Sequence, residues 1–149
     1  MSLETRINQD LKAAMKAKDK VAMRAIRAIK QAILLAKTDG SGTEIDETKE
    51  LKMLQKLANQ RKESLKIYEE QNREDLAVIE REELEVIAKY LPQPLSPEEL
   101  EKEITSIVEE TGASGMKDMG KVMGIASKKL AGRAEGKEIS AIVRQLLNN

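Results

Sequence analysis

The sequence contains no cysteine, no histidine, no phenylalanine and no tryptophan. Each absence removes a class of function. Without Cys there are no disulfides, no thiolate metal sites and no cysteine nucleophile. Without His, the commonest general base, the usual zinc ligand and the Ser-His-Asp arrangement go together. Two tyrosines are the only aromatics, so a platform for stacking unpaired bases is excluded. No apolar run approaches the ~18 residues of a membrane span. The opening Met1-Ser2-Leu3-Glu4-Thr5-Arg6 has acidic and polar residues where a secretory signal needs an apolar run. These features predict a cytoplasmic location and no membrane partner. They leave no basis for a catalytic residue, a metal site or a cofactor.

What is present favours helix. The 149 residues are 35% charged and 40% hydrophobic, dominated by Ala, Leu, Ile, Glu and Lys. A chain this long buries about 70% of its unfolded surface, enough for one domain or two small ones. All three prolines fall in Pro92-Gln93-Pro94-Leu95-Ser96-Pro97. Proline restricts itself and the residue before it. Helices should therefore stop near Leu91 and restart at Pro97, with Ser96 as N-cap and Glu99 closing a capping box. The expected organisation is all-α: an N-terminal four-helix domain over residues 1–91, a Pro-rich linker at 92–97, and a small three-helix domain at 98–149.

In the N-terminal part, Leu3, Ile7, Leu11, Ala14 and Met15 mark one helical face. Asp19 caps a second helix with Ala22, Met23, Ile26, Ile29, Ile33 and Ala36 inward. Asp39-Gly40-Ser41-Gly42-Thr43 reads as a loop. Asp46 caps a third helix built on Leu51, Leu54, Leu57, Ala58, Leu65 and Tyr68, which Asn72 ends in a left-handed turn. Leu76, Ile79, Leu84, Ile87 and Leu91 define the fourth. After the prolines come Pro97 to about Glu110, then Lys117 to Leu130 beyond a Gly112–Gly115 turn, then Gly136 to Leu147. Gly132 stands where a helix-ending glycine belongs.

The neutral total hides segregation. Residues 1–37 carry nine basic and three acidic side chains, net +6; residues 38–111 carry ten and twenty, net −10; residues 112–149 carry seven and three, net +4. Basic ends of this kind attract phosphate; a solvated helical surface is the plain alternative. Gly120 and Gly124 lie inside a helical pattern at a cost of about 1 kcal/mol each. They serve either close packing within a bundle or a smooth face for an RNA backbone flanked by Lys117, Lys121, Lys128 and Lys129. The Gly132–Lys137 turn is a helix connection or an anion site at a helix N-terminus. Asn59-Gln60-Arg61-Lys62-Glu63-Ser64 supplies phosphate or partner contacts, or interhelical hydrogen bonds with Tyr68. The carboxylates of Glu80, Glu82, Glu83 and Glu85 read as a solvated charge run.

Several of these segments together carry a resemblance. They are Ile26-Arg27; Gln60-Arg61-Lys62-Glu63-Ser64 with Tyr68; Arg73-Glu74-Asp75-Leu76; Tyr90-Leu91-Pro92; and Met119-Gly120-Lys121-Val122-Met123 with Gly132 and Gly136. In these the chain resembles the YqeY-like (GatB/YqeY) family over its full length. The C-terminal part of that family is similar to the tail of the B subunit of glutamyl/aspartyl-tRNA amidotransferase. Asn72 stands where a Gly commonly precedes the Arg, and Glu135 where an Asp commonly precedes the last Gly.

The resemblance implies a helical domain followed by a three-helix tail, and tRNA-linked work; the missing His, Cys, nucleotide-binding motif and metal-ligand cluster predict that this work is not catalytic. The expected tRNA contacts are Lys117, Lys121, Lys128, Lys129, Arg133, Lys137 and Arg144, with a second patch at Arg24, Arg27 and Lys30. Recognition would be of backbone and shape, with no DNA specificity. An aminoacyl-tRNA synthetase or an amidotransferase subunit is the protein partner the resemblance suggests. The alternatives are a protein-interaction module whose acidic middle docks on a basic partner, or a subunit of a carbon–nitrogen ligase with glutamine as amido donor.

Overall fold

The computed structural model describes residues 2–38 and 45–148. The loop expected over Asp39–Thr43 lies outside these. Among the described residues the structure is all-helical: seven α-helices and one 3-10 turn, with no strand. They are α1 Leu3–Ala17, α2 Lys20–Lys37, α3 Glu47–Glu70, α4 Glu74–Ala88, α5 Pro97–Thr111, α6 Met119–Lys129 and α7 Gly136–Leu147, with the 3-10 turn at Met116–Asp118 leading into α6.

Helix ends follow local side-chain chemistry. Asp19, Asp46 and Ser96 each accept a hydrogen bond from the backbone N–H three residues on, at 3.0, 2.8 and 3.2 Å. Ser96 and Glu99 form the reciprocal capping box, with Pro97 opening the helix. Ser2 caps α1 in the same way. At the other ends, Lys18, Asn72 and Gly112 all take left-handed backbone. At Asn72 the bonds are Asn72 N–H to Glu69 O and Arg73 N–H to Tyr68 O. That is a Schellman motif in which Asn does the work usually left to Gly.

The chain forms two compact units, Met1–Leu91 and Pro92–Asn149. In the first, α1 packs on α2, and both α2 and α3 pack on α4, whereas α2 and α3 meet only briefly. Its core is built from Leu3, Ile7, Ile26, Ile29, Ile33, Leu54 and Ile87, closed by Tyr90. Tyr90 donates a 2.5 Å hydrogen bond to Asp10 and lies under the Arg6 guanidinium, 4.6 Å from ring centre to Cζ. Arg6 also reaches the Lys89 carbonyl at 3.2 Å, so α1 and the end of α4 are pinned by polar contacts as well as packing. In the second unit Leu100, Ile104 and Ile107 of α5 meet Val122 and Ala126 of α6, Leu130 just beyond it, and Ile139, Val143 and Leu147 of α7. Each fully buried aliphatic side chain contributes roughly 1.5–3 kcal/mol.

Two residues expected inside are not. Met15 is 53% exposed and Ile79 37% exposed. Met15 sits at the edge of the α1 stripe, whose last buried position is Ala14. The first turns of α4 bury Ala77 instead, on the other side of the helix from Ile79. The Pro-rich stretch does not hang free: Leu95 N–H bonds to Arg133 O at 3.0 Å.

Candidate functional site

In unit 2 the 3.6-residue period places Val122 and Ala126 inward and turns Lys121, Gly124 and Lys128 to the opposite side. Lys117 precedes this stripe by one turn. Lys117, Lys121 and Lys128 are exposed. None forms an ion pair with a described residue. Lys137 and Arg144 are likewise exposed along one side of α7.

The remaining candidates are committed elsewhere. Lys129 pairs with Glu103 of α5 at 3.8 Å. Arg133 is half-buried; its Nε reaches Gln93 O at 3.5 Å and its carbonyl accepts from Leu95. It holds the Pro-rich segment and does not belong to the exposed basic surface. Asp118 accepts from Ser114 N–H at 3.0 Å.

The glycines overturn the packing expectation. Gly120 and Gly124 are exposed, and a Cβ added at either would meet nothing within 4 Å. They make no room for a neighbouring helix, because both lie on the side of α6 away from the unit's core. Met123 does pack into that core. Gly132 is buried with φ 76°, a conformation that suits glycine, and exposed Gly136 opens α7. Six of the unit's nine acidic residues lie on α5. The unit is therefore polarised, acidic on α5 and basic along α6 and α7.

In unit 1 the charge run of α4 is not uniformly solvated. Glu83 is buried, 8% exposed. Its Oε1 accepts from Arg24 Nε at 2.9 Å and its Oε2 from Arg61 Nε at 2.8 Å. Burial, and then the neighbouring Glu83 charge, push the Glu80 carboxyl above its ordinary value. Sequence reasoning missed Glu83 as a central residue. The signal was there: it stands seven residues from both Leu76 and Tyr90, in the middle of the apolar stripe.

Arg27, Gln60 and Arg61, all in segments that carry the family resemblance, come together with Arg24 and Glu83 around a cleft of about 480 Å³. Arg24 is thus partly neutralised and Lys30 is half-buried, which leaves Arg27 as the exposed cation of the second expected patch. Of the other motif residues, Glu63 is exposed, while Ser64 and Tyr68 are half-buried on α3. Arg73 and Asp75 form a bidentate surface pair at 3.1 and 3.0 Å. The Arg73 hydrogen bonds hold the Asp75 carboxyl below its usual range. This pair lies at the α3–α4 corner.

The class defined by these features is an all-helical protein with segregated surface charge. Among its described residues no helix is long and apolar enough to cross a membrane, and no cluster of carboxylates is arranged to hold a metal ion. The family model described as "Yqey-like protein" matches residues 4–147. The chain belongs to the YqeY-like family.

Among curated proteins it is similar to "Altered inheritance of mitochondria protein 41, mitochondrial" of Vanderwaltozyma polyspora, 39% identical over 119 residues, covering 76% of this chain and 64% of that protein. The protein of the same name from Lachancea thermotolerans is 34% identical, covering 70% and 57%. That of Clavispora lusitaniae is 35% identical, covering 76% and 66%. The chain thus spans less than two thirds of the length of these relatives. Their names correct the cytoplasmic expectation, since they are mitochondrial proteins. The reason is physical: lack of an apolar run speaks only to secretory signals. Mitochondrial addresses are amphipathic, Arg-rich and removable, and leave no mark on the composition of the folded part.

Proposed function

We propose that this chain is a non-catalytic tRNA-binding accessory protein, with units 1 and 2 as separately folding domains. Its second unit grips the sugar-phosphate backbone through the outer side of α6. The observation that carries this reading is the stripe of exposed Lys117, Lys121 and Lys128 beside two exposed glycines that pack against no described residue. A helix interior glycine costs about 1 kcal/mol relative to Ala, and no described residue lies within 4 Å of where either missing Cβ would stand. Bare helix backbone flanked by cations does suit a polyanion that approaches closely. The acidic α5 side makes that approach one-sided. Without histidine, cysteine or a stacking aromatic platform, contact is to phosphate and shape.

The test is fluorescence anisotropy of labelled bulk tRNA with the full chain at low and raised salt. K117E/K121E/K128E should fold normally and lose at least about tenfold in affinity, about 1.4 kcal/mol. Single alanine versions should each reduce the salt slope by roughly one unit. Gly120→Ala and Gly124→Ala separate structure from function: each should raise stability by up to about 1 kcal/mol while weakening tRNA binding. Absence of binding by the unaltered chain at low salt, or unchanged binding by the triple variant, refutes the reading.

A further inference from the structure

Helices α2 and α3 meet only briefly while each packs on other helices, and a groove lies between them. It consists of two concavities of about 480 and 470 Å³ that share Ala32, Leu35, Leu57 and Gln60, so they run together. On α2 the lining extends from Arg24 to Ala36. At 1.5 Å per residue that is about 18 Å, or three helical turns. The floor is aliphatic: Leu35 is 62% exposed and stands with Ala32, Met53 and Leu57. The rim is basic: Arg27 on α2 and Lys52 and Lys56 on α3 are exposed, and none forms an ion pair with a described residue. The one carboxylate in the lining, Glu83, is already held between Arg24 and Arg61. The groove therefore joins a positive field to an apolar floor.

We propose that this groove docks an acidic amphipathic helix of a partner protein. The guest would be about three turns long, with Leu, Ile or Met along one face and Glu or Asp on both flanks. An aliphatic floor gains from burying aliphatic side chains and offers ribose-phosphate nothing. No aromatic residue lines it, so unpaired bases have no surface on which to stack. Length, floor and rim fit a helix laid in a groove and anchored at i, i+3, i+4 and i+7. The proposal concerns unit 1 and stands apart from the tRNA reading of α6, so either can fail alone.

The probe is a fluorescein-labelled peptide of about fourteen residues, with leucines at i, i+3, i+4 and i+7, glutamates on the flanks and alanines elsewhere. Two controls accompany it: a scrambled peptide of the same composition, and one with lysine replacing each glutamate. With the full chain, the acidic peptide should bind saturably, and the scrambled one at least about tenfold more weakly. Leu35→Glu and R27E/K52E/K56E should each weaken the acidic peptide by at least about tenfold, with helical circular dichroism and urea midpoint unchanged. The triple variant should in turn bind the lysine peptide. Equal binding of acidic and scrambled peptides, or indifference to both variants, overturns the proposal. So does self-association of the unaltered chain that Leu35→Glu abolishes, which would make a second copy the occupant. Loss of tRNA affinity in R27E/K52E/K56E, with Lys117, Lys121 and Lys128 intact, would make RNA the occupant and overturn it as well.

Discussion

Replacing Glu83 by Ala tests whether the Arg24–Glu83–Arg61 cluster organises unit 1. The carboxylate accepts two charge-assisted hydrogen bonds, at 2.9 and 2.8 Å. The two arginines are not equivalent. The Arg61 side chain is 16% exposed, against 41% for Arg24, and Arg61 is also held by the Leu57 carbonyl at 3.5 Å. Removing one partner of a buried pair costs roughly 3–5 kcal/mol, because the other charge is left uncompensated. Arg24 can turn to water, so its share is that of a surface pair, about 0.5–1 kcal/mol. Arg61 cannot rehydrate as readily and carries the rest. The expected loss for Glu83→Ala is about 3 kcal/mol, with about 2 for Arg61→Ala and under 1 for Arg24→Ala. At a urea slope of about 2 kcal/mol per molar, the first lowers the midpoint by roughly 1.5 M. Intrinsic fluorescence isolates the effect. Tyr68 and Tyr90 are the only aromatic residues and both lie in unit 1, whereas circular dichroism senses both units. The fluorescence transition should move and the unit 2 transition should not. A cost below about 1 kcal/mol for Glu83→Ala, or equal costs for the two arginines, would refute the reasoning.

Tyr90 should make unit 1 sensitive to alkali. Burial first, and then its hydrogen bond to Asp10, hold the phenol pKa well above the ordinary value near 10. A raised folded pKa gives stability that is complete below about pH 10 and is lost as pH rises beyond it. Tyr90→Phe should cost about 1 kcal/mol at neutral pH and flatten the alkaline fall, read as urea midpoints on either side of pH ~10. Lys18 holds a left-handed conformation, φ 57°, that costs a non-glycine residue about 1 kcal/mol. Lys18→Gly should therefore raise thermal stability, while Gly112→Ala, at φ 67° with open space around it, should lower it by a similar amount.

Helix boundaries were legible because they depend on chemistry within a few residues. Asp19, Asp46 and Ser96 cap where their side chains reach the next turn's N–H, and the proline cluster interrupts helix whatever surrounds it. Asn72 could be read as a left-handed stop because Asn tolerates that conformation. Lys18 could not, since nothing in a lysine announces it. The basic ends were visible in composition, but not which cations remain available. Lys129 is paired with Glu103, and Arg133 holds the Pro-rich segment. Glu83 meets partners 59 and 22 residues away along the chain. Helical period puts it on the inward stripe, yet only the convergence of α2, α3 and α4 brings two guanidiniums to its oxygens. The same holds for Gly120 and Gly124, whose spacing allowed packing or exposure alike until the core side of α6 was known. The groove between α2 and α3 lies where those helices share few contacts while both pack on α4. Which helices pack on which is settled by how three helices share one core, and no local pattern encodes that.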